Sequence, residues 1–491
     1  MKILVIVIFC IIYSFVSYFE ISIFITQFYN KKRMFIIEKQ ELITWNKNIL
    51  FLCSCMLLCL SIGFAFYNLE VACMIMLIAS VVNFIQLKKI KFRFTRRSLT
   101  LLITTILLLL LLLINPYIVI YFSTILLILF PSVFCIFADI LVYPLEWFIR
   151  FIYMKKAKKR LKMNPNLKIV GITGSYGKTS FKNYLFTLMY GKCNVIKTPG
   201  SVNTPMGICK FINNTLTPYD DFLILELGVD APKTMKIFFK FLTVDVGVIT
   251  SIGSMHLATF KTLENIKKEK MTLFSYVKDN SAKFYNSDSF SLDTKSNEIQ
   301  KYSFNDISVI KQDENGTTFV MANKEYHVPI LGKHQLTNLV GAIKVARYLK
   351  ISLDSIVDSL QFIKAEPHRM SIEKIQNLVI IDDSYNANYM GMTEAIKVVD
   401  SFVGKKGIIL NGLIELGEES DKKNYDIGTK LINFDEIVVL DSSPKGLFEA
   451  LESNKKKYKV FANYQQGFHY LKSKNLNYIL LCSNAHIEYI K

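Results

Sequence analysis

For about 150 residues the chain is dominated by long apolar runs, and from Leu167 onward short apolar runs alternate with amphipathic stretches. The front runs cover 3–27, 49–67, 71–87, 99–114 and 117–145, each near the ~20 residues that span a bilayer. They predict five membrane helices. Behind them, "LKIVGITG" predicts a strand and "KTSFKNYLFTLMY" the helix after it, while "FLILELG" and "DVGVITSIG" read as further buried strands. Residues 283–330 are polar and β-like with a turn at "ENG", and "GKHQLTNLVGAIKVARYL" predicts a helix with its entry loop. After a break at "KAEPHRM" the strand–helix alternation restarts with "LVIIDDS" and ends with "YILLCS".

This pattern predicts an α-helical membrane region followed by α/β architecture: a P-loop central domain and a Rossmann-like C-terminal domain. The expected boundaries are a membrane region 1–150, a basic cytoplasmic linker 151–165, a central domain 166–366 and a C-terminal domain 367–491.

Charge sharpens the picture. The 491-residue chain has a net charge of +19, and residues 1–162 alone hold 19 Lys and Arg against 6 Asp and Glu. The basic surplus therefore belongs mainly to the greasy front, which argues for membrane flanks and against a nucleic-acid surface. "KKR", "KKIKFRFTRR" and "KKAKKRLK" fall in alternate connections. The positive-inside rule then places the N-terminus outside and the α/β portion in the cytoplasm, as a multi-pass protein of the cytoplasmic membrane. The nine cysteines include no CxxC pair, which disfavours zinc ligation and a disulfide framework.

The chemistry concentrates in "GITGSYGKTS". Its glycines let backbone N–H groups approach phosphate oxygens at a helix N-terminus. Gly174, Ser175, Tyr176, Gly177, Lys178, Thr179 and Ser180 form the candidate nucleotide loop, with Lys178 neutralising phosphate and the Thr179 hydroxyl ligating Mg²⁺. Glu226 ends a buried strand, where it is either a metal ligand beside Thr179 or a plain strand-end charge. His256 follows another strand and reads equally as a ligand or a structural hydrogen-bonder. Lys270, by itself, is one lysine among several on a solvated helix face.

"GITGSYGKTS", "TPGSVNTPMG", "LELG", "SIGSMHLATFKTLENIKKEK", "LGKHQLTNLVGAI", "EPHRM", "DDSYNAN" and "IELGEES" occur in the order found in Mur ligases, and residues 165–491 resemble that family. Within it, "DDSYNAN" followed by "ELGEES" resembles the members that add D-alanyl-D-alanine to a muramyl-tripeptide. The resemblance implies an ATP-dependent amide ligase of peptidoglycan precursor synthesis that works through an acyl phosphate. It implies ATP and two Mg²⁺ ions, with Lys178 and Thr179 on phosphate and the first metal, Glu226 as a further ligand, and His256 on the second. Lys270 matches the lysine that the family carbamylates. Asn338 matches the adenine-contacting asparagine, while Arg369, Asp383 and Asn386 match residues that close over the nucleotide. Ser201, Asn203, Thr204 and Asn388 match substrate-facing positions, although Asx-turn chemistry also explains the two asparagines of "DDSYNAN".

Three departures stand out. Apolar runs occupy the place of the usual UDP-gripping domain, Gly412 stands where the family usually has Asp, and "LLCSNAH" replaces a Lys-Gly-Ser-Arg stretch. The expected partners are thus a muramyl-peptide, D-Ala-D-Ala and a lipid bilayer. A capsule glycan, a polyglutamate or a lipid-linked precursor is the alternative acceptor, and a nucleotide-binding membrane scaffold the non-catalytic alternative.

Overall fold

The structure, a computed structural model, describes residues 131–200, 202–253, 255–279, 281–292, 299–385, 389–413, 419–440 and 443–482. Four of the five apolar runs, and the start of the fifth, lie outside the described residues. Among the described residues no helix is long and apolar enough to cross a membrane. Compact units divide between Ile152 and Tyr153.

Helix α1 (Pro131–Lys162) ends in the basic run "KKAKKRLK", which complements the negative end of the helix dipole. Its last turns belong to the second unit. Ala157 is fully buried there with Met154 and Leu161 beside it, and Lys155, Lys156, Lys158 and Lys159 stay exposed. The Asn213 side-chain amide donates to the Tyr153 carbonyl at 3.1 Å, and the Arg160 guanidinium to the Leu216 carbonyl at 3.0 Å. The basic run is thus helix anchored on the globular body.

That body begins with β1 (Lys168–Thr173), α2 (Lys178–Met189), β2 (Val195–Lys197), α3 (Pro205–Thr215), β3 (Phe222–Glu226), α4 (Thr234–Phe238), β4 (Val246–Ile249), α5 (Leu257–Phe260), α6 (Leu263–Met271), β5 (Lys283–Asn286) and β6 (Ile299–Tyr302). The six strands form one parallel sheet in the order β2-β3-β1-β4-β5-β6. Five of the six β1 residues are buried, as the unbroken apolar run "IVGIT" requires of a strand covered on both faces. The chain leaves β1 toward β2 and later crosses to β4 on the other side, so the strand order reverses beside β1. In such sheets the crevice at the carboxyl ends of these strands is where ligands bind.

A hairpin sheet of β7 (Ser308–Asp313), β8 (Gly316–Met321) and β9 (Lys324–Val328) follows, with its β7–β8 turn at the expected "ENG". Then come α7 (Lys333–Tyr348) and α8 (Leu353–Leu360). Phe181, Tyr184 and Leu188 of α2 share one core with Leu339, Val340 and Ile343 of α7. Gly341 is needed in that contact, because a Cβ there would come within 2.7 Å of the Phe181 and Tyr302 rings.

The C-terminal body contains β10 (Ser371–Ile375), β11 (Leu378–Asp382), α9 (Tyr389–Asp400), β12 (Lys406–Leu410), α10 (Ser420–Thr429), β13 (Glu436–Leu440), α11 (Lys445–Ser453), β14 (Lys459–Phe461), α12 (Tyr464–Lys472) and β15 (Tyr478–Cys482). Its sheet order is β10-β11-β15-β12-β13-β14, parallel except for β10. The connection into this body puts two non-glycine residues in the left-handed region, His368 at φ 68° and Met370 at φ 51°. Gln335 spans it: its Oε1 accepts from the Tyr184 hydroxyl at 2.8 Å and its amide donates to the Arg369 carbonyl at 2.9 Å.

Candidate active site at the carboxyl edge of the central sheet

The loop after β1 is held by the loop after β4. The Ser175 amide donates to the Ser251 carbonyl at 2.8 Å, and the Tyr176 amide to the Ser251 hydroxyl at 2.8 Å. Ser175 Oγ accepts from the Gly253 amide at 2.9 Å, and the Thr250 hydroxyl donates to the Tyr176 carbonyl at 2.6 Å. This bracing leaves no room for a side chain at Gly174, whose Cβ would lie 2.0 Å from Thr250 Oγ1. Gly177 adopts φ 81°, and a Cβ there would meet the Asn338 amide at 2.7 Å. The backbone therefore turns straight into α2, whose N-terminal partial charge suits an anion.

Lys178 of α2 and Lys270 of α6 both reach this loop. Lys178 Nζ donates to the Gly174 and Ser175 carbonyls at 2.7 and 3.2 Å, and Lys270 Nζ donates to the Gly174 carbonyl at 3.1 Å. Lys270 is buried and not on a solvated face. Burial, and then the charge of Lys178, push its ammonium down to about 7, against the opposing pull of Asp230 and Glu269. Lys178 is pushed down to about 8 by burial, with Glu226 opposing and Arg369 adding to the shift.

Glu226 is the hub of the other half. Its Oε2 accepts from the Thr179 hydroxyl at 3.0 Å and from Lys182 Nζ at 3.2 Å, and its Oε1 accepts from the Asn203 amide at 3.0 Å. Burial raises its pKa, but Lys182, Asn203, Lys178 and Thr179 together outweigh that and hold the carboxylate below its ordinary range. Glu226 is thus ionised and presented beside Thr179. His256, at φ 64° ahead of α5, is held below its ordinary range by partial burial and by Lys270, with Asp230 opposing. It is therefore neutral at pH 7, the state in which a ring nitrogen can ligate.

Ser180 is buried behind the loop. Asn338 lies directly against Gly177. Thr204 caps α3 by accepting from the Gly207 amide at 3.2 Å, and Asn203 faces Glu226. The Arg369 guanidinium stacks over the Tyr385 ring at 4.6 Å. Asp383 accepts from the Met370 amide at 3.2 Å; burial, then Asp382, push it up to about 7 against the pull of that amide and Arg369. Ser201, Asn386 and Asn388 lie outside the described residues.

Three contributors were not visible in the sequence. Lys182 reads as a helix-face lysine, although its position four residues after Lys178 places it on the same face of α2. Ser251 reads as a strand-end serine. Asp230 follows "LELGV" with no motif to mark it.

A family model described as the Mur ligase middle domain matches residues 172–346. A UDP-N-acetylmuramoyl-tripeptide–D-alanyl-D-alanine ligase of Buchnera aphidicola (subsp. Acyrthosiphon pisum) is 30% identical over 334 residues, covering 65% of this chain and 71% of the relative. The chain belongs to the Mur ligase family. Ligases of the same name from Bacillus subtilis and Escherichia coli are 28% and 26% identical over 276 and 277 residues. This Mur ligase covers 53% of its own length in both matches, and spans only 59% and 61% of the lengths of those two relatives. The crystal structure of MurF ligase from Thermotoga maritima in complex with ADP superposes with a TM-score of 0.58 at 25% identity, covering 68% of this chain and 80% of that one.

Proposed function

We propose that this Mur ligase is an ATP-dependent peptide ligase that adds D-Ala-D-Ala to a muramyl-tripeptide at the cytoplasmic face of a membrane. The observation that carries this reading is the convergence of Lys178, Lys270, Thr179 and Glu226 on the loop after β1.

The residues present fit Mg²⁺. A hydroxyl and an ionised carboxylate 3.0 Å apart are the hard oxygen donors that it prefers. Among the described residues no cluster of three or more His, Cys, Asp and Glu could hold a metal. Thr179 and Glu226 would hold one ion and His256 the second. When bound, Mg²⁺ supplies charge neutralisation at the transferring phosphoryl group.

The chain's own residues do the rest. A carboxylate is a poor electrophile, so its oxygen first attacks the γ-phosphorus; the bond to the β-phosphate oxygen breaks and ADP leaves. Lys178 at the α2 N-terminus neutralises the charge that develops there. The amine of D-Ala-D-Ala then attacks the acyl carbon, loses a proton and expels inorganic phosphate. Lys270, pushed down to about 7, carries a substantial neutral fraction at cellular pH, and only a neutral amine can take up CO₂. Carbamylation would turn this crowded cation into an anion beside His256.

The relatives' names support the substrates. The apolar front with its alternating basic connections supports attachment to the cytoplasmic membrane, and a lipid-linked acceptor is the alternative substrate. The deciding experiment is phosphate release by detergent-purified protein with ATP, Mg²⁺ and UDP-MurNAc-tripeptide, with and without D-Ala-D-Ala. Release that depends on the dipeptide is expected. ATP binding without such release would overturn the assignment and favour a Mur-type ligase acting on another envelope substrate.

A further inference from the structure

Lys182 is a buried charge that the phosphate-site reading does not itself use. Its side chain is fully buried, in contact with a carboxylate that is also buried. Burying two ions costs desolvation that their attraction repays only with good geometry and further hydrogen bonds. The ammonium donates to Glu226 Oε2 at 3.2 Å and to the Gly200 carbonyl at 2.5 Å. Gly200 lies in the connection between β2 and α3. The same connection is also fastened by the Asn203 amide on Glu226 Oε1 at 3.0 Å and by the Gly228 amide on the Asn203 carbonyl at 2.8 Å. Meanwhile Glu226 Oε2 is the very oxygen that also accepts from Thr179. Lys182 therefore bridges the phosphate end of the site and the connection that runs across the sheet's carboxyl edge.

We infer that Lys182 is a positioning residue that couples the phosphate end of the site to the β2–α3 connection through Glu226. The inference rests on the proposed nucleotide site and deepens it. An ammonium with one carboxylate partner and one carbonyl partner divides its donors between them. When a cation shares Glu226 Oε2, the carboxylate holds the ammonium less strongly and the Gly200 carbonyl holds it more. Filling the phosphate end thereby firms the connection. Lys182 touches no reacting atom; it passes the state of one half of the site to the other.

Amide hydrogen exchange on the full-length protein tests this, comparing Mg²⁺ with a non-hydrolysable ATP analogue against the analogue alone. In the wild type, Mg²⁺ with the analogue is expected to slow exchange at Gly200, Asn203 and Thr204 by about 5-fold or more, the lower range of site-to-site coupling. Lys182→Met should abolish that extra slowing while leaving protection of residues 174–180 in place, and Lys182→Arg should restore part of it. Equal slowing in Lys182→Met overturns the inference. Should that variant fail to fold, the wild-type arm still decides: protection at 174–180 with no Mg²⁺-dependent change at Gly200, Asn203 and Thr204 also overturns it. No protection at 174–180 would instead bring down the nucleotide-site reading, and this inference with it.

Discussion

The ammonium groups of Lys178 and Lys270 converge on one acceptor, the Gly174 carbonyl oxygen, at 2.7 and 3.1 Å. Burial, and then the like charge of Lys178, push Lys270 down from 10.5 to about 7. Below pH 7 the lysine is protonated in both folded and unfolded chains, and the full cost is present. Between about 7 and 10.5 the unfolded chain binds the proton that the folded one has shed, so stability rises with pH across that window. Lys270→Met should flatten this rise. Thermal melts of both proteins across the window check it, and an identical slope would refute the buried-cation account.

Glu226→Gln keeps the shape of the hub and removes its charge. Nucleotide should still bind to the loop and α2, but the gain in affinity from Mg²⁺ should shrink by about 10-fold to 100-fold, the usual cost of disturbing a metal site. Calorimetric titrations with and without Mg²⁺ measure both terms. An undiminished Mg²⁺ effect would place the metal elsewhere.

Gly412 leaves no room for a side chain. It adopts φ 64°, and a Cβ there would come within 2.6 Å of Asn424 Oδ1 and 2.8 Å of the Pro444 ring. Asn424 is itself fixed, with its amide donating to the Leu413 and Ser420 carbonyls at 2.9 and 2.8 Å. Gly412→Asp should therefore destabilise the fold by at least about 1–3 kcal/mol, the cost of a strained backbone position. Urea unfolding would show it, and unchanged stability would mean this loop can rearrange at no cost.

Gln335→Ala should cost about 1–3 kcal/mol, because it leaves the buried Tyr184 hydroxyl without its acceptor. Tyr184→Phe in the same chain should recover part of that loss, since the two residues act as one network. Simple additivity of the two losses in a double-mutant cycle would show that the Tyr184–Gln335–Arg369 path is not coupled.

Most of the α/β architecture was legible because its signals are local. "KIVGIT" and "YILLC" are too uniformly apolar for anything but strands buried on both faces, and Gly174 and Gly177 announce their turn. Strand β10 was not legible: "SIEKI" is mixed in polarity and joins β11 through a tight turn with Gln376 at φ 54°, where no glycine marks it. Lys182 acts through partners 18 and 44 positions away, Ser251 through one 75 away, and Gln335 through partners 34 and 151 away. Such pairings are set by packing, and a charged or polar residue on a helix or strand end looks the same with or without them. The burial of Lys270 was hidden for the same reason: the resemblance to Mur ligases singled out the residue, not its burial.

The anchoring of α1 has a consequence for anyone who would recombine this protein. Ala157 shares a hydrophobic core with Leu223 and Phe238, so the ligase body begins at about Tyr153 and not at its first motif. A chimera that joins this body to a different front end must carry the turns from Tyr153 to Lys162 with it. A splice at residue 166 would discard part of the core itself and leave an apolar scar where the helix had been.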